Sequence, residues 1–183
     1  MSVIVIILAL VLIFVFYVIG IYNRLVNARN KVKDQFSQID VQLKRRIDLI
    51  PNLVETVKGY AKHEEGTLKE VIEARNKMAS ANNINEELEA SGEVTSALNK
   101  LFALAESYPD LKANENFMSL QKDLKETEDK ISYARSFYND TVLNYNNLRE
   151  QFPSSVIAGM FNFERIDFFK ADDKDKENVK VEF

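Results

Sequence analysis

The chain has 183 residues, with 24 Lys and Arg against 28 Asp and Glu, one His, and neither Cys nor Trp. Having no Cys excludes disulfide frameworks, thiolate metal sites, cysteine nucleophiles and lipid attachment to an N-terminal Cys. Charge is unevenly spread: positions 1–22 carry none and all but Ser2 and Gly20 are apolar, so every charged side chain falls in the remainder, which has room for one ordinary core.

The first predicted element is a membrane span. Val3 to Tyr22 is an uncharged run rich in Val, Ile, Leu and Phe. As a helix it is about 30 Å long, the thickness of a bilayer's hydrocarbon core. A cleaved signal peptide fits less well, because no Lys or Arg precedes the run and no small-x-small site follows it. Tyr17 and Tyr22 suit the headgroup level. From Arg24 to Arg46 the flank carries a net charge of +5, while residues 47–183 carry −9. The positive-inside rule therefore predicts an external N-terminus and a cytoplasmic C-terminal domain.

Beyond the span the apolar spacing is helical. Leu25, Val32, Phe36, Ile39, Leu43 and Ile47 recur in steps of three and four or their sums, and no Gly or Pro follows Gly20 until Pro51. The span is thus expected to run into the domain as one rod. Pro51 predicts a boundary, since it disfavours helical geometry at Ile50 and suits the first turn of a new helix. The next stretch uses Leu53, Val54, Val57, Tyr60, Ala61, Leu68, Val71, Ile72 and Met78, with an interruption expected near His63 between Gly59 and Gly66. Ser80 to Asn85 reads as a connection. A third helix with Leu88, Val94, Leu98, Leu101, Ala105 and Tyr108 follows, and Pro109-Asp110 marks a turn. The fourth pattern is the clearest, from Phe117 through Leu124, Ile131, Tyr138 and Tyr145 to Phe152, stopped by Pro153. Ser155–Phe169 is dense in Val, Ile, Met and Phe and is expected to fold back onto the domain or onto a partner.

The run Tyr22-Asn23, Leu25-Val26, Arg29-Asn30 and Val32 resembles the opening of the LemA family of bacterial membrane proteins. The similarity continues through Ile39-Asp40-Val41-Gln42-Leu43-Lys44-Arg45-Arg46, Asp48-Leu49-Ile50-Pro51-Asn52-Leu53-Val54, Val57-Lys58-Gly59-Tyr60 and His63-Glu64. Phe152-Pro153, Ala158, Phe161 and Phe168-Phe169 resemble the family's closing motif. One departure is Ile47, where the family often has a polar or aromatic residue such as His. The resemblance implies one N-terminal anchor, a helical bundle and no established catalytic activity. It also implies a link to a membrane metalloprotease, beside which some members are encoded.

Sites for chemistry are sparse. His63-Glu64 opens a zinc-protease motif, but Thr67 stands where the second His is needed, and His63 is the only His. The same shortage removes a Ser-His-Asp triad and a Glu-x-x-His metal pair. The five Gly form no phosphate-cradling loop. Lys44, Arg45 and Arg46 suit either an acidic lipid headgroup or a helix C-terminus, the second being favoured. Phe161, Phe163, Phe168 and Phe169 suit either a contact surface or a structural cap.

The sequence therefore predicts an all-α chain. Residues 1–22 form a transmembrane anchor, residues 23–171 an antiparallel, up-and-down four-helix bundle of coiled-coil type, and residues 172–183 a charged mobile tail. The expected function is a non-enzymatic scaffold or interaction module in the bacterial inner or plasma membrane, with no cofactor, no metal and no nucleic acid. Its expected partners are the lipid bilayer, further copies of the chain and another membrane protein. The candidate contact residues are Lys44, Arg45, Arg46, Phe161, Phe163, Phe168 and Phe169. The alternative is an adaptor for a membrane protease in envelope maintenance, and the weakest reading is a hydrolase.

Overall fold

The computed structural model describes residues 2–81 and 84–169, with the side chains at 84, 85 and 88 left aside. The expected mobile tail at 172–183 and the centre of the Ser80–Asn85 connection lie outside the described residues. Among the described residues six helices follow in order: α1 (Ser2–Tyr60), α2 (Glu65–Ala79), α3 (Ile84–Ala105), α4 (Pro109–Lys112), α5 (Glu115–Glu150) and α6 (Ser154–Met160). The described residues contain no strand.

The span does continue as one helix, and it continues further than predicted. Pro51 lies inside α1 and starts no new helix. A proline ring displaces the carbonyl four residues earlier and removes one hydrogen bond. Here Pro51 is exposed, so the freed group lies on the wet side, while Ile50, Leu53, Val54 and Val57 are all buried on the other face. Each such side chain contributes about 1.5–3 kcal/mol on burial. That packing outweighs the local break. The interruption expected near His63 is present, at residues 61–64 around that exposed side chain.

Local chemistry sets the other boundaries. Pro109 occupies the first turn of α4, where its missing N–H costs nothing. Asn114 caps α5, its side-chain oxygen accepting the Phe117 N–H at 3.0 Å. At the far end of α5 the buried Ser154 hydroxyl donates to the Leu148 and Gln151 carbonyls, at 2.6 and 3.0 Å. It thereby satisfies acceptors that a helix terminus leaves open.

The described residues form two compact units, and α1 and α5 contribute to both. The first comprises residues 2–38 with Ala134–Phe169. From Ser2 to Tyr17 every side chain of α1 in this unit is exposed. Below that stretch Ile21, Leu25 and Val32 are buried, as are Tyr138, Val142 and Tyr145 of α5. Phe36 meets Tyr138 edge-on, with ring centroids 6.1 Å apart. The second unit comprises Ile39–Tyr133 among the described residues. Its core holds Ile39, Leu43, Leu53, Val57, Leu101, Leu111, Phe117 and Ile131. Lys77 of α2 pairs with Glu89 and Glu93 of α3, and Lys100 of α3 pairs with Glu70 of α2 at 2.7 Å.

Candidate functional site

In the first unit the chain after α6 lies along α5. Asn162, with φ of 52°, closes α6. Its N–H reaches the Gly159 carbonyl at 3.4 Å, and the next N–H, from Phe163, reaches Ala158 at 2.9 Å. This is the Schellman arrangement, and Asn is among the few non-glycine residues that tolerate the left-handed region. The turn sends Phe163 inward, where it is buried beneath Tyr22 (centroids 5.7 Å apart) and under the Arg29 guanidinium at 5.1 Å.

From Phe163 to Phe169 the backbone is held by side chains of α5. Arg149 Nε donates to the Phe163 carbonyl at 2.7 Å, and the Tyr145 hydroxyl donates to the Glu164 carbonyl at 2.8 Å. Asn146 exchanges two hydrogen bonds with Ile166, and Asn139 does the same with Phe169. Tyr138 donates to the Asp167 carbonyl at 3.3 Å. The repeat is visible in the sequence as Tyr138-Asn139 and Tyr145-Asn146, one heptad apart. Seven helical residues rise about 10.5 Å. The extended step from Ile166 to Phe169 covers about 10 Å. The two carboxamides therefore match the extended segment in register. Apolar spacing places Tyr138 and Tyr145 in the core and passes over the asparagines, although their heptad spacing is the signal. Both tyrosines have their pKa pushed up: Tyr138 by burial and then by the Asp167 charge, and Tyr145 chiefly by burial.

The four candidate phenylalanines divide. Phe163 and Phe169 are buried, with Phe169 edge-on to Tyr138 at 5.8 Å and beneath Arg135 at 4.9 Å. Phe161 and Phe168 are exposed. Phe161 nevertheless touches the Tyr22 ring, centroid to centroid at 4.9 Å. In the same unit a cleft of about 610 Å³ is lined by Arg24, Asn27, Lys31, Thr141, Asn144 and Gln151, with no carboxylate on its walls.

The three candidate basic residues belong to the second unit. Lys44 and Arg45 are exposed, whereas Arg46 is only 3% exposed. Its guanidinium reaches Thr95 Oγ1 of α3 at 2.8 Å and pairs with Glu128 of α5 at 3.1 Å. Arg46 thus ties α1 to two other helices, a role that no helix-periodicity rule assigns to a cation. A second polar cleft, of about 290 Å³, is lined in part by Asp40, Lys44, Arg75 and Glu87. Burial, reinforced by the negative charge of Asp40, holds the Glu87 carboxyl above the usual carboxylate range. Among the described residues no group of three or more His, Asp or Glu side chains is arranged to hold a metal ion.

Known proteins share this sequence pattern. The LemA family model matches residues 35–183. That span includes the Ile39–Glu64 motifs and the Phe163–Phe169 segment held on α5. Protein LemA of Metamycoplasma hominis is 24% identical over 168 residues, covering 91% of this chain and 77% of that protein. Magnetosome protein MamQ 2 of Paramagnetospirillum magneticum is 24% identical over 175 residues, and Magnetosome protein MamQ of Magnetospirillum gryphiswaldense is 23% identical over 174. Each of those matches covers 81% of this chain but 64% of the relative, so the chain spans less than two thirds of the MamQ proteins' length. The family match extends over well more than half of the residues, and the chain belongs to the LemA family.

Proposed function

We propose that this protein is a membrane-anchored, non-enzymatic interaction module that self-associates as a scaffold. The observation that carries the reading is α1 itself. Its apolar, exposed N-terminal segment and the buried face of its C-terminal part belong to one unbroken helix, Ser2–Tyr60. A helix of this kind delivers a charged helical domain directly to a bilayer surface. The +5 flank from Arg24 to Arg46 supports an external N-terminus and a cytoplasmic domain at the bacterial inner or plasma membrane. Within Ile39–Tyr133, Arg46 bridges α1 to α3 and α5, which supports helix-bundle packing in that unit. Within this reading the surfaces available for contact are the exposed members of the candidate set: Lys44, Arg45, Phe161 and Phe168.

The protein extracted from native membranes in mild detergent, with its mass measured by light scattering, tests the proposal. A homo-oligomer supports the scaffold. A monomer retaining a stoichiometric foreign subunit points instead to the alternative, an adaptor for a membrane protease.

A further inference from the structure

We propose that the α6 hairpin, Phe152 to Phe161, is a second membrane contact that inserts its outer face into the boundary between headgroups and acyl chains beside the point where α1 leaves the bilayer. The inference rests on the membrane-span reading of α1.

The outer face of this segment is apolar and exposed, and its inner face is packed. Ser154, Ile157 and Ala158 point inward and are buried. On the other side Val156 and Met160 share one face at i, i+4 spacing, flanked by Phe152 and Phe161, and all four are exposed, Phe152 by 84% and Met160 by 69%. A cluster of exposed apolar side chains of this size normally has something covering it. The composition agrees: Gln151 to Phe163 carries no charged side chain, in a chain that is 28% charged overall.

Position identifies the cover. Tyr22 ends the uncharged span, and its ring lies against Phe161 at 4.9 Å. If Tyr22 sits at headgroup level, Phe161 does too, because the contact leaves no room for a different depth. Arg24, two residues past Tyr22, fits the same level, and Lys31 continues the basic wall about 13.5 Å along α1 from Tyr22. Arg24 and Lys31 line the carboxylate-free cleft together with Gln151, the residue preceding the hairpin. Cations beside phosphates and aromatic or aliphatic side chains just beneath them are the layout of an interfacial anchor. The occupant is therefore lipid. Two attachment points on the same unit stop that unit from rotating about the span.

The absence of Trp from the chain makes the test direct. Full-length Met160→Trp, Phe14→Trp and Phe137→Trp proteins are reconstituted in phosphatidylcholine–phosphatidylglycerol vesicles, with and without bromine on the acyl chains. Phe137 adjoins Tyr138, which contacts Phe36, and Phe36 lies about 21 Å along α1 from Tyr22. The expected result is quenching of about twofold or more at Met160→Trp and Phe14→Trp, with none at Phe137→Trp. Quenching at Phe14→Trp alone overturns the hairpin contact while leaving the span intact. A blue-shifted but unquenched Met160→Trp overturns it in favour of a second copy of the chain. Quenching at neither position overturns both the span and the hairpin.

Discussion

The carboxamide of Asn146 exchanges two hydrogen bonds with the backbone of Ile166, accepting its N–H at 3.2 Å and donating to its carbonyl at 2.8 Å. Two turns earlier on α5, Asn139 repeats the exchange with Phe169, at 2.7 and 2.9 Å. The segment after α6 thus gains the backbone pairing of a strand edge from the side of a helix. Removing one carboxamide strands two backbone groups in a partly buried place. Asn146→Ala is expected to cost about 1–3 kcal/mol, read by denaturant unfolding. Asn139→Ala with Asn146→Ala should release the segment, so that hydrogen exchange at Ile166 and Phe169 rises to the rate of free chain. Protected amides in the double variant would show that Tyr138, Tyr145 and Arg149 suffice.

Adjacent phenylalanines should behave differently. Phe169 is 4% exposed and Phe168 is 37% exposed. Phe169→Ala is expected to cost about 3–5 kcal/mol through the cavity it leaves. Phe168→Ala should stay within about 1 kcal/mol. If contact with a partner or a second copy runs through this segment, Phe168→Ala and Phe161→Ala should weaken association without lowering Tm. Equal destabilisation by Phe168→Ala and Phe169→Ala would contradict the division.

Arg46 and its neighbours supply a second contrast. Truncating one member of a buried ion pair costs about 3–5 kcal/mol when both partners are enclosed. Glu128 is 39% exposed, so water screens part of the loss, and Arg46→Ala is expected to cost about 1–3 kcal/mol. Lys44→Ala and Arg45→Ala should each lie within about 0.5 kcal/mol. A stable Arg46→Ala protein would mean that its links to Thr95 and Glu128 hold nothing together.

Glu87 gives a pH dependence of known sign. Its folded pKa is raised above the ordinary 4.5 by burial and by Asp40, so the folded state binds the proton more tightly than the unfolded state does. Stability from this group is greatest below 4.5, falls as pH rises through the interval up to the folded value, and stays low above it. Glu87→Gln removes the charge and should raise Tm at pH 7, with the gain shrinking as the pH drops toward 4.5. Parallel Tm curves for the two proteins across that range would refute this.

Core truncations test the helical packing itself. Leu124 and Ile131 lie one heptad apart on α5 and are 3% and 0% exposed. Leu124→Ala and Ile131→Ala should each cost about 2–5 kcal/mol. Losses under about 1 kcal/mol at both would place the buried face elsewhere.

Periodicity was enough to locate most of this fold. The uncharged run to Tyr22, the three-and-four spacing of Leu25, Val32, Ile39 and Leu43, and the long pattern from Phe117 to Phe152 each identify a helix, and the last two also its buried side as far as Tyr145, whereas Phe152 lies past the end of α5 and is exposed. Helix geometry is local and repeats every 3.6 residues, so a one-dimensional pattern carries it. Pro51 shows where local rules stop: its own preference argues for a break, and the buried side chains around it, which the local rule does not weigh, hold the helix together. The candidate surfaces depended still more on tertiary structure. Lys44, Arg45 and Arg46 are alike as a sequence, and only the approach of Thr95 and Glu128, both far along the chain, makes Arg46 a buried tie. Phe163 and Phe169 became core while Phe161 and Phe168 stayed outside, because Asn162 turns the chain and two asparagines on α5 fix its register. Those partners are remote in sequence from the groups they hold. Hydrogen bonds and ion pairs depend on direction and distance in three dimensions, and apolar spacing carries neither.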